Sequence, residues 1–246
     1  LQRICQQQID VFGALPEDLK HYWFLLWVTD DGYGGLEHMH STLLLCSRFD
    51  LPPPGNAPPD DNYQNLLALC SHEYFHTWWV KRLKPACFHP YQLTAEQYTP
   101  QLWLYEGFTS YFDDLALVKA GVIDLPRYIK TLEKTISRVT RNPSDSAQSL
   151  TDSSFNAWTK YYKQDENAVN AVVSYYTKGS LIALCLDALL RSKGKTLDAL
   201  MQLAWRSYGE PALGSSEQQF IQLCSDYAGK DTASQLYSWV HGTSAL

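Results

Sequence analysis

None of the six cysteines forms a C-x-x-C pair, no apolar run exceeds seven residues, and basic residues are outnumbered, 20 Lys and Arg against 26 Asp and Glu. The first absence excludes a thiolate zinc cluster and a dense disulfide framework, so the default state of the thiols is reduced and buried. The second excludes a membrane-spanning helix, which needs about 20 apolar residues, and the longest run, Tyr22 to Val28, falls far short. The third leaves a formal net charge of −6 and no basic stripe, so neither nucleic acid nor an anionic membrane is expected as a partner. Repeats of 20–50 residues and low-complexity tracts are also missing, which removes solenoids, coiled coils and collagen-like chains. Unpaired thiols point to a cytoplasmic setting, or a periplasmic one if a leader has been removed. No charged leader precedes an apolar core, and a chain starting at Leu1 reads as a piece of a longer protein.

What is present is a large apolar inventory. The 246 residues are 45% hydrophobic and include 8 Trp, 16 Tyr and 9 Phe, enough to bury a core without cross-links. Residues 1–14 carry Ile4, Gln8, Val11 and Phe12 at helical spacing. Tyr22–Val28 reads as a buried strand, 30–35 as a turn, and 41–46 as a second strand. Pro52 to Pro59, with Gly55 and Asn56 between them, forbids regular structure. A helix is expected from about Tyr63 to Leu83, capped by Asp60, Asp61 or Asn62 and closed by Lys81, Arg82 and Lys84, cations that favour a helix C-terminus and need no ligand. Others are expected near 100–120, with Gly121 as the stop, and near 125–140, 174–192, 196–208, 215–228 and 231–241, with 143–165 irregular. The pattern is α+β: a sheet-rich lobe over about 1–62, a helical lobe over about 63–246, and a cleft where they meet.

The chemistry concentrates in His72-Glu73-Tyr74-Phe75-His76, an H-E-x-x-H motif. Helical residues four apart differ by about 40°, so both imidazoles leave one face and can grip one cation, while Glu73 lies about a quarter turn aside, placed to hold a water. The competing reading is two histidines satisfied inside an aromatic core. A hydrolytic zinc site needs three protein ligands and one open position, and Glu106, in the apolar stretch 103–111, is the candidate third ligand. On its own Glu106 is a helix N-terminal carboxylate favoured by the dipole. Asp113, two turns further on the same face, can accept the second N–H of a ligand imidazole or simply be solvated; Asp114 is expected to be exposed. Gly34, Gly35 and Glu37 form either a hairpin turn or an edge that admits an extended ligand and holds its amine. His38 and His40 would face one side of a strand, with nothing nearby to complete a metal site. Cys70, two residues before His72, is the one cysteine placed near this chemistry, and His72 has the better use.

These motifs, with Tyr176-Thr177-Lys178-Gly179, occur in the order found in zinc aminopeptidases with a thermolysin-like domain. Within that group the chain resembles the glycyl aminopeptidase family, whose H-E-x-x-H runs on into Trp-x-Val-Lys-Arg-x-x-Pro, here residues 78–85. Stretches 149–162 and 174–176 resemble it too. Twenty-nine residues separate His76 from Glu106, more than in the large relatives that include the leukotriene hydrolase. The amine-binding motif ends Leu36-Glu37-His38 where those relatives have Met-Glu-Asn, and Trp79 stands where close relatives carry Asn, as a pocket wall.

The resemblance implies a thermolysin-like (gluzincin) catalytic domain with one zinc ion on His72, His76 and Glu106. It makes Glu73 the general base and Tyr176 the oxyanion donor, with Tyr175 as the fallback. Gly34, Gly35 and Glu37 would bind substrate; Asp113, placed by its spacing alone, would support a ligand from behind. The implied substrate is a peptide cut after a small N-terminal residue such as Gly or Ala. A zinc endopeptidase and a non-catalytic zinc-containing peptide-binding module are the alternatives. The family's preceding β-rich domain and following PDZ-like domain have no counterpart in these residues.

Overall fold

The structure, a computed structural model, describes residues 1–55, 58–243 and 246. Helix α1 (Gln2–Phe12) buries Ile4, Gln8, Val11 and Phe12 and stops at Gly13, where φ is 83°. The Gln8 amide donates to Ser71 Oγ at 2.7 Å and to the Phe112 carbonyl at 3.3 Å, pinning α1 to two later helices. Strands β1 (Trp23–Thr29), β2 (Gly34–Glu37) and β3 (Ser41–Ser47) make a sheet of order β1-β3-β2, parallel between β1 and β3 and antiparallel between β2 and β3. β2 falls at the end of the segment expected as a turn. β3 alternates as a half-buried strand should, with Thr42, Leu44 and Cys46 inward.

β1 departs from the expectation of burial. Trp23 is 66% exposed and Trp27 62%, and Leu25, Leu26 and Val28 are exposed as well. The reason is position: β1 is an edge strand hydrogen-bonded on one side only, and the face it shares with Leu36 and Leu43 carries no covering layer among the described residues. An apolar run reports strand propensity, not which element lies over it. Of the proline-rich loop, Asn56 lies outside the described residues; the described flanks carry no helix or strand.

Helix α2 (Asp61–Phe75) is capped by Asp60, whose carboxylate accepts from the Tyr63 N–H at 2.8 Å. It ends eight residues before the expected Leu83. The chain instead turns through 76–83, with Val80 at φ 112°, a conformation costly for a β-branched residue. Arg82 offsets that cost: it is buried, forks onto Asp18 at 3.0 and 2.8 Å, and donates to the Thr77 carbonyl at 2.7 Å. Lys81 pairs with Glu37, and Lys84 lies over the Tyr91 ring. The three cations therefore bind partners across the fold instead of closing a helix.

A π-helical turn (Trp103–Gly107) leads into α3 (Phe108–Lys119), which stops before Gly121 at φ 62°. Helix α4 (Leu125–Thr140) starts on an Asp124 cap. The stretch expected as irregular contains α5 (Leu150–Phe155), capped by Ser149, and a second π-helical turn (Ala157–Tyr161). After the short α6 (Ala168–Ala171) come α7 (Thr177–Ser192), α8 (Leu197–Ala204), α9 (Glu217–Ala228) and α10 (Lys230–His241), close to the expected bounds. The main core is aromatic, with Phe12, Phe75, Trp78, Trp79, Trp103 and Phe112 fully buried. Where the first π turn crosses α7, Gly107 and Gly179 meet backbone to backbone. The fold is α+β, a small sheet against a helical body, and among the described residues no helix is long and apolar enough to cross a membrane.

Candidate metal centre

α2 presents His72 in its last turn and His76 at its C-cap, and the helical spacing stacks their rings edge to face with centroids 4.7 Å apart. From the facing π turn, Glu106 sends one carboxylate oxygen between them, 3.2 Å from His72 Nε2 and 3.4 Å from His76 Nε2. A π turn widens the backbone spiral, a distortion concentrated at functional sites. The donor atoms of the three residues lie within 4.8 Å of one another.

Each imidazole is held from behind at Nδ1. For His72 the partner is Asp113 Oδ2 at 2.9 Å, reached from α3; for His76 it is the backbone carbonyl of Trp79 at 2.9 Å. Both Nε2 atoms therefore face Glu106. Burial drives both rings toward the neutral form, yet Asp113 and Glu106 hold His72 well above the ordinary imidazole range, and Glu106 raises His76. Burial likewise pushes the Glu106 carboxyl up, and His76 and His72 overcome it and hold that carboxyl below its usual range. The centre favours positive charge at its middle. Two imidazole nitrogens and one carboxylate oxygen, each with its orientation fixed, form a donor set that fits a divalent cation such as zinc.

Glu73 is buried beside this trio. Its Oε2 has no hydrogen-bond partner among the described residues, and the carboxylate lies against the Cα of Gly35, where any side chain at 35 would collide with it. Burial raises its pKa against the pull of His76 and His72. Glu37, at the end of β2, brings a carboxylate oxygen within 4.8 Å of Glu73 and His76 and meets Lys81 Nζ at 3.4 Å. Gly34 has open space around its Cα. The Tyr176 ring lies 6.2 Å from that of His72, and its hydroxyl sits 3.0 Å from that of Tyr162. Tyr175 is turned into the core, 1% exposed, with Tyr176 the more open of the two.

Several expectations do not survive. Asp114 is half-buried, its pKa pushed up to about 8 by burial and by Asp113. His38 and His40 lie in the turn between β2 and β3: His38 Nδ1 contacts the Leu36 carbonyl at 3.0 Å, and His40 meets Asp18 at 3.3 Å. Trp79 is no pocket wall; its ring is fully buried and donates to the Leu104 carbonyl. All six cysteines are free, but Cys87 is exposed and Cys5 and Cys185 are only partly buried. Cys70 is buried, its thiol pushed up to about 12, which removes any nucleophilic use near neutrality. Sequence reasoning missed the Trp79 carbonyl, Lys81 and Tyr162. Of these, Lys81 and Tyr162 lay in stretches that resemble the family, 78–85 and 149–162, while the Trp79 carbonyl carried no signal.

The sequence model of the M61 glycyl aminopeptidase family matches residues 65–182, which hold His72, Glu73, His76, Glu106, Asp113 and Tyr176 but not the β2 edge. No curated protein sequence matches. Among solved structures, an aminopeptidase N family protein from Idiomarina loihiensis superposes with a TM-score of 0.95 at 47% identity, over 99% of this chain and 42% of that one. An M1 zinc metallopeptidase from Deinococcus radiodurans superposes at TM-score 0.61 with 17% identity, over 99% of this chain and 44% of that one. Yeast LTA4 hydrolase in complex with Bestatin does so at 0.65 with 13% identity, over 100% and 35%. These last two share the fold. The chain spans less than half the length of each of these proteins.

Proposed function

From the chain's kinship with the glycyl aminopeptidase family, we propose that it is the catalytic domain of a zinc aminopeptidase of thermolysin-like fold, cutting peptides after a small N-terminal residue such as Gly or Ala. The observation that carries the reading is the meeting of His72, His76 and Glu106 donor atoms within 4.8 Å, with the unpartnered Glu73 oxygen beside them. His72, His76 and Glu106 would hold one zinc ion. When bound, zinc supplies Lewis acidity and brings the pKa of water toward ~7.

The protein's own groups do the rest. Glu73 accepts the proton of the attacking water and returns it to the leaving amine nitrogen as the C–N bond breaks. Its carboxylate can act as that base because nothing else claims Oε2. Tyr176 donates its phenol proton to the developing oxyanion, in a buried setting where a hydrogen bond counts for more than in water. Burial and the nearby Glu106 keep that phenol protonated. Glu37 takes the substrate's ammonium in exchange for Lys81, and the free edge of β2 aligns the peptide backbone.

The test is zinc content together with turnover of amino-acid anilides by the Glu73→Gln variant. The expected result is full zinc occupancy with kcat lowered by about three orders of magnitude. Undiminished turnover removes Glu73 as base, and a chain that takes up no zinc removes the reading as a whole.

A further inference from the structure

The second π turn, Ala157–Tyr161, closes with the Tyr162 N–H donating to the Ala157 carbonyl at 3.0 Å. The extra residue it inserts turns both Tyr161 and Tyr162 toward the start of α7. The Tyr161 ring packs 4.7 Å from Tyr175 and 5.8 Å from Tyr176, and its hydroxyl meets Ser174 Oγ at 3.2 Å. The Tyr162 ring meets Tyr161 edge-on at 5.3 Å. Tyr162 itself is 64% exposed, and its hydroxyl lies 3.0 Å from Tyr176 Oη and 3.3 Å from Tyr175 Oη.

Proton counting allows these three phenols one direction that leaves a proton for the substrate. Each carries one proton and can accept two hydrogen bonds. Tyr175 donates to Tyr162. The single proton of Tyr162 is then available to Tyr176, and the proton of Tyr176 is left for a group outside the trio. Hydrogen bonds in such a chain polarise one another, so each donor strengthens the next.

We infer that Tyr162 is a positioning residue for the oxyanion donor: it directs its hydroxyl proton to Tyr176 Oη and thereby commits the Tyr176 proton to the substrate. The inference rests on the reading of Tyr176 as that donor. Without the Tyr162 hydroxyl, Tyr176 Oη loses the donor that polarises its O–H bond and fixes its rotation, and its proton is no longer committed to the substrate. The exposure of Tyr162 makes Tyr162→Phe a clean probe, since the ring stays and only the hydroxyl goes.

The experiment uses the zinc-loaded full chain as wild type, Tyr162→Phe, Tyr176→Phe and the double variant, with alanine 4-nitroanilide as substrate. A second readout is calorimetric affinity for a phosphinic dipeptide analogue, which mimics the tetrahedral state, set against affinity for free alanine. Tyr162→Phe is expected to lower kcat about tenfold with KM little changed, and to weaken the phosphinic analogue, not alanine, by about the same factor. In the Tyr176→Phe background the same substitution should cost nothing further, because its effect passes through Tyr176. An equal loss in both backgrounds, or no loss in the wild-type background, overturns the inference while leaving Tyr176 in place. Full activity of Tyr176→Phe instead removes the donor reading, and the inference falls with it.

Discussion

Gly107→Ala is the sharpest test of how the site is held together, because the clash it creates is entirely with backbone. A methyl group at 107 would fall 2.6 Å from Gly179 Cα, 2.7 Å from Gly179 C and 2.9 Å from the Tyr175 carbonyl oxygen. Carbon atoms pack at about 3.5–4.0 Å, so the π turn and α7 must separate by roughly 1 Å, and no rotamer change can substitute for that movement. Overpacking of this kind costs about 1–3 kcal/mol, less about 1 kcal/mol that alanine returns over glycine within a helix. A net loss of up to about 2 kcal/mol should lower Tm by up to roughly 8 °C in a chain of this size. The functional effect should be larger than the stability effect. Glu106 precedes Gly107 and Tyr176 lies three residues before Gly179, so the two groups move apart with the backbones that carry them. A misplacement of about 1 Å is enough for about a hundredfold loss of turnover. The assay is calorimetric melting of the metal-free chain, zinc affinity by chelator competition, and kcat. Gly34→Ala is the stability control: nothing lies within 4 Å of its added carbon, and its melting should match the wild type. Wild-type melting and zinc affinity in Gly107→Ala would show that the glycine contact does not set the spacing.

Asp113→Asn keeps the shape but weakens the hold on His72 Nδ1, and zinc affinity measured by competition should fall about 10–100-fold; unchanged affinity would mean that Asp113 does not orient the ring. Glu37→Gln should raise KM for free-amine substrates, and acetylating the substrate amine should abolish turnover by the wild type; cleavage of acetylated peptides would mark an endopeptidase. Asp18 has a folded pKa held below the ordinary carboxylate range chiefly by its hydrogen bond from Arg82, so its stabilising effect is complete above that range and drains away as pH falls through the folded value. Asp18→Asn should therefore flatten the acid limb of a stability–pH curve, by well under 1 kcal/mol because the carboxylate is half exposed; an acid limb identical to wild type refutes the coupling.

Features governed by spacing along the chain were readable. His72 and His76 share a face whatever surrounds them, Asp113 follows Glu106 at two helical turns, and α4 and α7 to α10 show their periods. Features governed by another segment were not. The exposure of β1 depends on what lies against the sheet, the pairing of Gly34–Glu37 with β3 depends on register, and α5 was hidden among residues whose polarity suggests a loop.

The two errors around His76 have a single cause. Lys81, Arg82 and Lys84 look like the end of a long helix, yet Arg82 is drawn to Asp18 and the Thr77 carbonyl, and the helix stops at Phe75. In a helix continuing to Leu83, the Trp79 carbonyl would accept the Leu83 N–H four residues on. Because the helix stops, Leu83 donates to the Trp78 carbonyl instead, and the Trp79 carbonyl is free to hold His76 Nδ1. A carbonyl is common to every residue, so no amino acid at 79 could have advertised it. The early helix end and the support behind the second imidazole are thus one structural fact, and Arg82, one of the cations that disguised the first, contributes to the second.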